Sequence, residues 1–433
     1  MCGIVGVWSS RAITDRETGE RRLADMVSRI AHRGPDGRSV WFDGTVGLGH
    51  ARLAVIDLSD AATQPMADVE GVVRVTFNGE IYNYRELRQQ LVSLGHRFQS
   101  DSDTEVLVEG YKRWGIDMLQ RLRGMFAFAL WDADERRLIL ARDRIGKKPL
   151  YYATHGEALV FASEIKAILA WPGVARSADL DAIHSYLTFQ YVPTPLTAFE
   201  GIRKMPPASY MVIEADGRSR TETYWSLPRP EASTSRPRPE IESELLSHFD
   251  EAVRRRLVSD VPLGAFLSGG IDSASVVAAM ARSSANPIKT FTIGFDDPAY
   301  DERRYARLVS QHYGTDHHEL VVRPDAVSVL PTLVWHYGEP FADSSAVPTY
   351  YLSQFARSHV TVALNGDGGD ESFLGYPRYA GAWLGGQIDL LPRSLRRALG
   401  AVGRSLPVEV SNVRSLRYLR RFLIESNVDD VQR

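Results

Sequence analysis

The sequence predicts an α/β protein with two folded regions of different kinds, and three observations support this fold class. Predicted strands, with a few helices between them, dominate about the first two hundred residues, which suggests sheets sandwiched between helices. Residues 226–240 are rich in proline, serine and threonine, as expected of an extended domain boundary. After this stretch strands and helices alternate, as they do in a parallel sheet with helices on both faces.

The elements of the first region follow from the spacing of apolar residues. Strands are predicted at 4–8, 47–56, 72–77, 125–131 and 137–142, and helices at 23–30, 84–94 and 104–114. The dipeptide Asn78-Gly79 would close the third strand, because it is the commonest hairpin turn signal. Asp103 precedes the third helix, at a position where aspartate is a normal N-cap.

The second region shows a regular alternation of elements. Strands are predicted at 263–267, 288–295, 318–322 and 360–364, and helices at 241–257, 272–281, 301–313 and 347–357. Together with the change in composition, this pattern predicts one domain at 1–225, a linker at 226–240 and a second domain at 241–433.

Composition and charge argue against several classes of protein. A formal net charge of −3 gives no general attraction to nucleic acid or to an anionic membrane. A single cysteine excludes an internal disulfide and fits a reducing compartment. No apolar run approaches the length of a membrane span. We therefore expect a soluble cytoplasmic protein that binds neither nucleic acid nor membrane.

Cys2 is the first candidate for chemistry, because it is the only cysteine and directly follows Met1. A lone cysteine is usually a buried packing residue. If Met1 is removed, however, the α-amine of Cys2 can take the proton of its own thiol. Both groups start near neutrality, with pKa values of about 8.5 for the thiol and about 8 for the amine. On position alone, a catalytic role and an accidental one are both open.

Two glycine-rich loops follow strands of the second region. The loop at 267–273 lets backbone amides approach an anion, although it lacks the lysine of a Walker A loop. An ordinary strand-to-helix turn with Asp272 as its cap also explains it. The loop at 365–371 follows another strand and carries Asp367 and Asp370. Because ligands bind at the carboxyl ends of parallel strands, the two loops together could hold a triphosphate and Mg²⁺.

Three positions of the first region have both a functional and a structural explanation. The amide of Asn78 and the N–H of Gly79 could form an oxyanion hole, or they could form the hairpin turn. Arg52 could clamp a carboxylate bidentately, or it could be a surface charge. Asp103 could bind an ammonium group, or it could cap its helix. Each structural explanation alone is at least as good as the functional one.

Taken together, the motifs resemble one family. Those of the first region are Met1-Cys2-Gly3-Ile4 and the stretches 32–36, 52–57, 78–83 and 102–105. They resemble a class II glutamine amidotransferase domain, and 268–273 resembles the pyrophosphatase loop of an ATP-using synthetase. Their order is similar to that of the glutamine-hydrolysing asparagine synthetases, from residue 1 to about residue 380. The resemblance implies an N-terminal-nucleophile αββα sandwich, followed by an adenine-nucleotide α-hydrolase-like domain with a parallel sheet.

For the first domain, the resemblance implies glutamine as substrate. Cys2 would attack its carboxamide, and Asn78 and Gly79 would stabilise the oxyanion. Arg52 would hold the α-carboxylate and Asp103 the α-ammonium. The remaining pocket residues would be Leu53, Ala54, Val55, Ile56 and Glu80.

For the second domain, the resemblance implies ATP and Mg²⁺. The pyrophosphate would be cradled by Ser268, Gly269, Gly270 and Ser273. Asp272 and Asp370 would bind Mg²⁺, and Asp367 would lie near an acyl-adenylate. The other residues assigned to ATP are Phe266, Leu267 and Ile293 at the adenosine, with Asn365 and Gly366 in the second loop.

The sequence departs from the family pattern in two respects. The family usually has serine at the position of Asn365 and often glutamate at that of Asp367. Family members also continue well past residue 433, so we expect the second domain to be truncated, with glutamine hydrolysis but little amide product. The last stretch is rich in arginine, which suits a solvated helical face better than a nucleic-acid site; it includes Arg393, Arg396, Arg397, Arg414, Arg417, Arg420 and Arg421.

The expected activity is that of an ATP-dependent, glutamine-hydrolysing amide ligase of the asparagine synthase type. Its substrates would be glutamine, ATP and aspartate or another carboxylate, and a homodimer is the assembly we consider. Two alternatives remain open at this point. One is amidation of a different carboxylate, such as a uronic acid of a polysaccharide pathway, and the other is a regulatory protein that keeps only glutaminase activity.

Overall fold

In this computed structural model, the described residues are 1–229, 236–298, 301–323, 325–406, 419–420 and 422–424. Residues 1–269 and 277–364 form one structural unit, and residues 270–276 belong to a second unit with the described residues from 365 onward. Part of the predicted linker at 226–240 lies outside the described residues, as do Arg414, Arg417 and Arg421. The domain boundaries expected from the sequence stay a prediction.

The strands of the first region form two antiparallel sheets. They are β1 (Gly3–Ser9), β2 (Gly37–Phe42), β3 (Val46–Arg52), β4 (Met66–Ala67), β5 (Val73–Ile81), β6 (Gly124–Asp132), β7 (Arg137–Arg142), β8 (Tyr151–His155), β9 (Ala158–Ala162), β10 (Ile202–Lys204), β11 (Ser209–Ile213) and β12 (Ser219–Thr223). The first sheet has the order β10-β8-β9-β1-β3-β2, and the second has the order β12-β11-β7-β6-β5-β4. In the first sheet β1 therefore lies between β3 and β9, with a paired strand on each side.

Helices cover the outer faces of both sheets. They are α1 (Arg16–Arg29), α2 (Tyr84–Ser93), α3 (Asp103–Trp114), α4 (Met118–Arg121), α5 (Ile165–Ile168) and α6 (Leu180–Phe189). Side chains of β1 alternate between two cores, as the twofold period of a strand requires. Ile4 and Trp8 pack between the sheets, whereas Val5 and Val7 pack with α1 and α5. Because α2 and α3 pack on the other sheet, the layers are αββα, as the sequence predicts.

The second region contains a parallel sheet, which confirms the predicted fold class. Its strands are β13 (Leu263–Phe266), β14 (Lys289–Gly294), β15 (Asp316–Val321) and β16 (Val362–Leu364), in the order β15-β14-β13-β16. All three strand pairs are parallel. The helices of this region are α7 (Arg238–Arg255), α8 (Ile271–Ser283), α9 (Arg303–Tyr313), α10 (Ala326–Tyr337), α11 (Ala346–Arg357), α12 (Gly369–Phe373), α13 (Pro377–Asp389) and α14 (Arg393–Ser405). Among the described residues, no helix is both long and apolar enough to span a bilayer.

Three local predictions are wrong, and each has a physical reason. The dipeptide Asn78-Gly79 is not a turn, because β5 continues through it to Ile81 in register with β6. Asp103 is not the cap of α3; Ser102 is, and its side chain accepts the N–H of Thr104. The strand expected at 47–56 ends at Arg52, where pairing with β2 stops. Helix α10 was not predicted either, and it contains a proline in its interior.

Candidate active sites

Cys2 precedes β1, and its thiol lies against the peptide of Leu53. The Leu53 N–H donates to Sγ at 3.3 Å, and the thiol donates to the Leu53 carbonyl at 3.5 Å. The antiparallel register causes this contact, since Gly3 of β1 lies opposite Ala51 of β3. A further bond fixes the Cys2 peptide, because Arg33 Nε donates to the Cys2 carbonyl at 2.9 Å. The structure therefore brings the candidate nucleophile to the stretch predicted to bind glutamine.

Burial sets the protonation of the groups around Cys2. It raises the pKa of the Cys2 thiol, although the hydrogen bond from Leu53 and the nearby N-terminal amine oppose this effect. Burial also lowers the pKa of the Met1 α-amine to about 5. An amine in this environment is neutral at pH 7 and can accept a proton. With Met1 in place, the terminal amine near the Cys2 thiol is therefore uncharged at neutral pH.

Lys148 is a candidate functional residue that the sequence analysis missed. Its side chain is 3% exposed, and its Nζ lies 2.7 Å from the sulfur of Met1. Burial and the charge of Arg33 lower the pKa of Lys148 to about 8. Asp143 holds the preceding loop by accepting the Lys148 N–H at 2.9 Å. The sequence offers little signal, because Lys147-Lys148 resembles any solvated basic pair.

Asn78 and Gly79 lie within β5, where the sheet determines their surroundings. Asn78 is 0% exposed, and neither polar atom of its side chain has a partner among the described residues. A buried amide without a partner is costly unless a ligand satisfies it. A Cβ at Gly79 would clash with the carbonyl oxygen of Met125 on β6, so only glycine fits. These observations favour the functional explanation of the dipeptide over the turn.

Asp103 and Glu80 are neighbouring buried carboxyls. Asp103 is 6% exposed, and its Oδ2 accepts the N–H of Ile81 at 2.9 Å. Burial raises the pKa of Asp103 to about 6. Burial, followed by the charge of Asp103, raises the pKa of Glu80 to about 8. A cation placed here would lower both values, so the pair is suited to an ammonium group.

The loop after β3 is held from several sides. Arg52 Nη2 donates to the carbonyl of Asp57 at 2.7 Å, and Asp57 adopts a left-handed backbone with φ of 52°. The Asp57 carboxylate accepts the N–H of Asp101, two residues before Asp103. Asp57 also donates its own N–H to Asp260, near the start of β13. Asp57 therefore connects the Arg52 guanidinium with the neighbourhood of Asp103, a connection that no short motif reveals.

Three other predicted pocket residues are placed by the same loop. Ala54 donates its N–H to the Asp36 carboxylate at 2.9 Å. Val55 accepts the N–H of Asp260 at 2.9 Å through its carbonyl. Ile56 packs against the core under the second sheet. Leu53, Ala54, Val55 and Ile56 thus form one fixed stretch beside the thiol.

The first glycine-rich loop begins at the carboxyl end of β13. Leu267 is buried and donates its N–H to Phe291 of β14 at 2.9 Å, whereas Ser268 is exposed. Gly269 donates its N–H to the carboxylate of Glu302 at 3.1 Å. Phe266 pairs with Phe291, so Ile293 lies two residues farther along β14, beside the loop. Of the predicted adenosine residues, Phe266 and Leu267 therefore lie at the end of β13, and Ile293 lies on the neighbouring strand β14.

The second unit brings the remaining residues of both loops together. A Cβ at Gly366 would lie 2.6 Å from the N of Ser273, and one at Gly369 would clash with the Asp272 carboxylate. The side chain of Ser273 donates to the carbonyl of Gly270 at 3.2 Å. The Asp272 carboxylate therefore lies directly against the 365–371 loop, at Gly369, which is the residue before Asp370.

Acidic groups define the 365–371 loop. Asn365 Nδ2 donates to the Asp367 carboxylate at 2.6 Å, and both side chains are exposed. Among the described residues, no three His, Cys, Asp or Glu side chains form a ready-made metal cluster. Mg²⁺ with a nucleotide commonly uses one or two carboxylates, with phosphates and water as the other ligands. Asp272 and Asp370 fit that demand.

Two family models match the chain. The model of the glutamine amidotransferase domain matches residues 1–225, and the model of asparagine synthase matches residues 244–430. This chain belongs to the glutamine-hydrolysing asparagine synthetase family. That membership confirms the resemblance inferred from the sequence motifs.

Individual relatives of the family match most of the chain. A putative asparagine synthetase [glutamine-hydrolyzing] 2 of Methanocaldococcus jannaschii is 34% identical, over 94% of this chain and 81% of the relative. Asparagine synthetase [glutamine-hydrolyzing] 1 of Bacillus subtilis is 36% identical, over 94% of this chain and 64% of the relative. A putative asparagine synthetase of Mycobacterium tuberculosis H37Rv is 38% identical, over 94% and 65%. This chain therefore spans about two thirds of the length of the bacillary and mycobacterial members.

Proposed function

We propose that this chain hydrolyses glutamine at Cys2 and transfers the ammonia to an aspartate activated by ATP. The products would be asparagine, glutamate, AMP and pyrophosphate. The observation that carries the proposal is the Cys2 thiol at 3.3 Å from the Leu53 N–H, with the buried amide of Asn78, which has no partner within the described ranges, on the facing sheet. The first region thus contains the candidate nucleophile, a stretch of the predicted glutamine pocket and a buried amide that could donate a hydrogen bond to the substrate.

Glutamine hydrolysis begins with the thiol of Cys2. After removal of Met1, the α-amine of Cys2 takes the thiol proton, and Sγ attacks the carboxamide carbon. The amide of Asn78 and the N–H of Gly79 donate to the oxyanion of the tetrahedral intermediate. The protonated amine returns its proton to the leaving nitrogen, and water then hydrolyses the thioester to release glutamate.

The charged ends of glutamine are recognised separately from its reacting carboxamide. Arg52, held by the Asp57 carbonyl, pairs with the α-carboxylate. Asp103 pairs with the α-ammonium. This positive charge favours the ionised form of Asp103, which burial alone disfavours. Glu80 and the residues 53–56 line the remaining pocket. This arrangement selects a free α-amino acid with a side-chain amide.

ATP occupies the carboxyl ends of β13 and β16 in this proposal. Ser268, Gly269, Gly270 and Ser273 hold its pyrophosphate portion, because glycine backbones and a helix N-terminus favour an anion. Phe266, Leu267 and Ile293 are assigned to the adenosine, and Asn365 and Gly366 are assigned to ATP as well. Bound through Asp272 and Asp370, Mg²⁺ would neutralise phosphate charge. Asp367 then stands beside the aspartyl-adenylate.

The test compares two half-reactions in the parent chain and in Cys2→Ala. With glutamine, ATP, Mg²⁺ and aspartate, the parent should form glutamate as its main product, with AMP and asparagine at a lower rate. Cys2→Ala should form no glutamate, yet with ammonium chloride it should form as much AMP as the parent. Mass spectrometry of the parent should show that Met1 is absent. Glutamate release by Cys2→Ala would contradict the nucleophile, and a lack of aspartate-dependent AMP formation would contradict the acceptor.

A further inference from the structure

Glu164 is a nearly buried carboxylate that receives charged or polar donors from three side chains. Its Oε1 lies 2.9 Å from Arg33 Nη1 and 2.9 Å from His32 Nε2. Its Oε2 lies 2.7 Å from Lys166 Nζ. Only 11% of the Glu164 side chain is exposed, so these contacts replace most of its hydration. The sequence assigned no role to this position.

The lowered pKa of Glu164 keeps its side chain negatively charged. Burial alone would raise its pKa, but the hydrogen bond from His32 and the charge of Arg33 lower the pKa to about 2. Glu164 is therefore ionised throughout the neutral range. Removing one partner of a buried ionic cluster leaves the others unbalanced, so this group constrains its neighbours strongly.

One arm of the Glu164 cluster leads to the nucleophile. Arg33 binds Glu164 through Nη1 and donates through Nε to the Cys2 carbonyl at 2.9 Å. The neighbouring Ser163 exchanges two hydrogen bonds with Ile4, at 2.9 Å through its hydroxyl and at 2.8 Å through its backbone. Residues 163 and 164 thus hold both the Cys2 peptide and the start of β1.

The other arm leads to α10. Lys166 Nζ donates to the carbonyl of Trp335 at 2.6 Å and lies 3.4 Å from the centroid of its ring. The ring of His32 lies 4.8 Å from that of Trp335 and 4.7 Å from that of His336. Because the Lys166 ammonium group makes both a hydrogen bond and a cation–π contact with Trp335, its position relative to that residue is well defined. The end of α10 therefore touches the same cluster that holds Cys2.

We propose that Glu164 is a positioning residue for Cys2 and that the Lys166–Trp335 contact couples α10 to glutamine hydrolysis. This inference rests on the proposed function. A displacement of α10 moves Lys166, which changes the charge around Glu164 and, through Arg33, the placement of the Cys2 peptide. Such coupling requires a contiguous network with a measurable interaction energy, and the structure supplies the network.

A second contact between the same two regions provides a matched control. Lys204 forms an ion pair with Glu339, which lies just beyond α10. Lys204 also donates to the carbonyl of Val192, and Glu339 accepts the N–H of Ala198 at 3.3 Å. This contact ties residue 339 to the first region through groups other than Glu164 and Arg33. Lys204→Met therefore removes a comparable tether without touching the proposed network.

The experiment compares Glu164→Gln, Lys166→Met, Lys204→Met and the Glu164/Lys166 double variant. For each, the glutaminase kcat and KM, the rate of Cys2 alkylation by iodoacetamide, and the Tm are measured. Glu164→Gln should lower kcat by about a hundredfold, as expected of a misplaced reacting group, with a smaller change in KM. Lys166→Met should lower kcat by about tenfold in the parent but have almost no further effect in Glu164→Gln. Both single changes should alter the alkylation rate.

Lys204→Met should lower Tm by an amount similar to that of Lys166→Met, while kcat and the alkylation rate stay those of the parent. Equal kinetic losses in Lys166→Met and Lys204→Met would overturn the coupling, as would additive losses in the double variant. An unchanged kcat and alkylation rate in Glu164→Gln would overturn the positioning role. If Glu164→Gln does not fold, Glu164→Asp and Lys166→Met decide the question. If the parent hydrolyses no glutamine, the proposed function fails, but the alkylation rates still decide whether Glu164 positions Cys2.

Discussion

The Cys2 site and the two glycine-rich loops at 267–273 and 365–371 differ in how far each site is preorganised without a ligand. Several candidate groups of the Cys2 site, namely Asn78, Lys148 and Asp103, are buried. Among the candidate residues for ATP and Mg²⁺, Ser268, Asn365 and Asp367 are exposed on loops, whereas Asp272 and Asp370 lie at the beginning of α8 and α12. The first site therefore shifts the pKa values of its own groups, whereas three candidate residues of the second are open to water. Substitutions should therefore change the rate of glutamine hydrolysis at the Cys2 site, and the affinity for Mg·ATP at the glycine-rich loops.

The largest expected difference is at the oxyanion position. Asn78→Ala should lower glutaminase kcat by about a hundred- to a thousandfold, since one preorganised donor is lost. Thr76→Ala is the control, because Thr76 is equally buried on β5 but donates to the Gly49 carbonyl. That variant should lose stability and keep its kcat. If kcat falls alike in both variants, the strand matters only for folding and the comparison fails.

The next effect concerns pH and glutamine binding. The empty site has an Asp103 pKa of about 6, and the ammonium of glutamine requires the ionised form. As pH falls below 6, Asp103 becomes neutral, so kcat/KM for glutamine should fall by about tenfold per pH unit. Asp103→Asn should lower kcat/KM at pH 7 by about ten- to a hundredfold and remove this acid limb.

The exposed Asp101, two residues away, is the control for that measurement. Asp101→Asn should keep the acid limb of the parent profile. An acid limb that survives in Asp103→Asn would show that another group binds the ammonium.

The smallest effect is expected at the open site. Asp272→Asn should raise the Kd of Mg·ATP by about tenfold, measured by calorimetry, and leave glutamine hydrolysis unchanged. Glu371→Gln is the control, since this exposed acid of the same loop accepts a hydrogen bond from Tyr376. An unchanged Kd in Asp272→Asn would remove the metal role. A loss of glutaminase activity in this variant would show that Asp272 also affects the reaction at Cys2.

Much of the fold could be predicted because its signals are periodic. The side chains of β1 alternate between two cores, and this alternation is visible in the sequence. Strand β13 is recognisable because glycines follow its apolar run. Errors arose where a local signal competed with distant pairing. Asn78-Gly79 looks like a turn within two residues, but pairing with Ala127 and Phe126 of β6 keeps it extended.

The candidate site was predicted only where motifs are contiguous. Cys2 and the 52–56 stretch were found, and their contact follows from the β1–β3 register. Glu164 was not found, because its partner Arg33 lies 131 positions away in the sequence. Lys148 escaped for a similar reason, since its burial depends on how the loop at Asp143 folds. Long-range ion pairs leave no periodic trace in a single sequence.

The interior place of β1 also governs when the thiol becomes functional during synthesis. Cys2 emerges from the ribosome before β9, one of the two strands that enclose β1, has been made. Contacts between such distant segments close slowly, and domains fold as units once enough chain has emerged. The nascent N-terminus would therefore stay accessible to a processing aminopeptidase while most of the first region is being translated. Maturation of the nucleophile can precede the fold that later shields it.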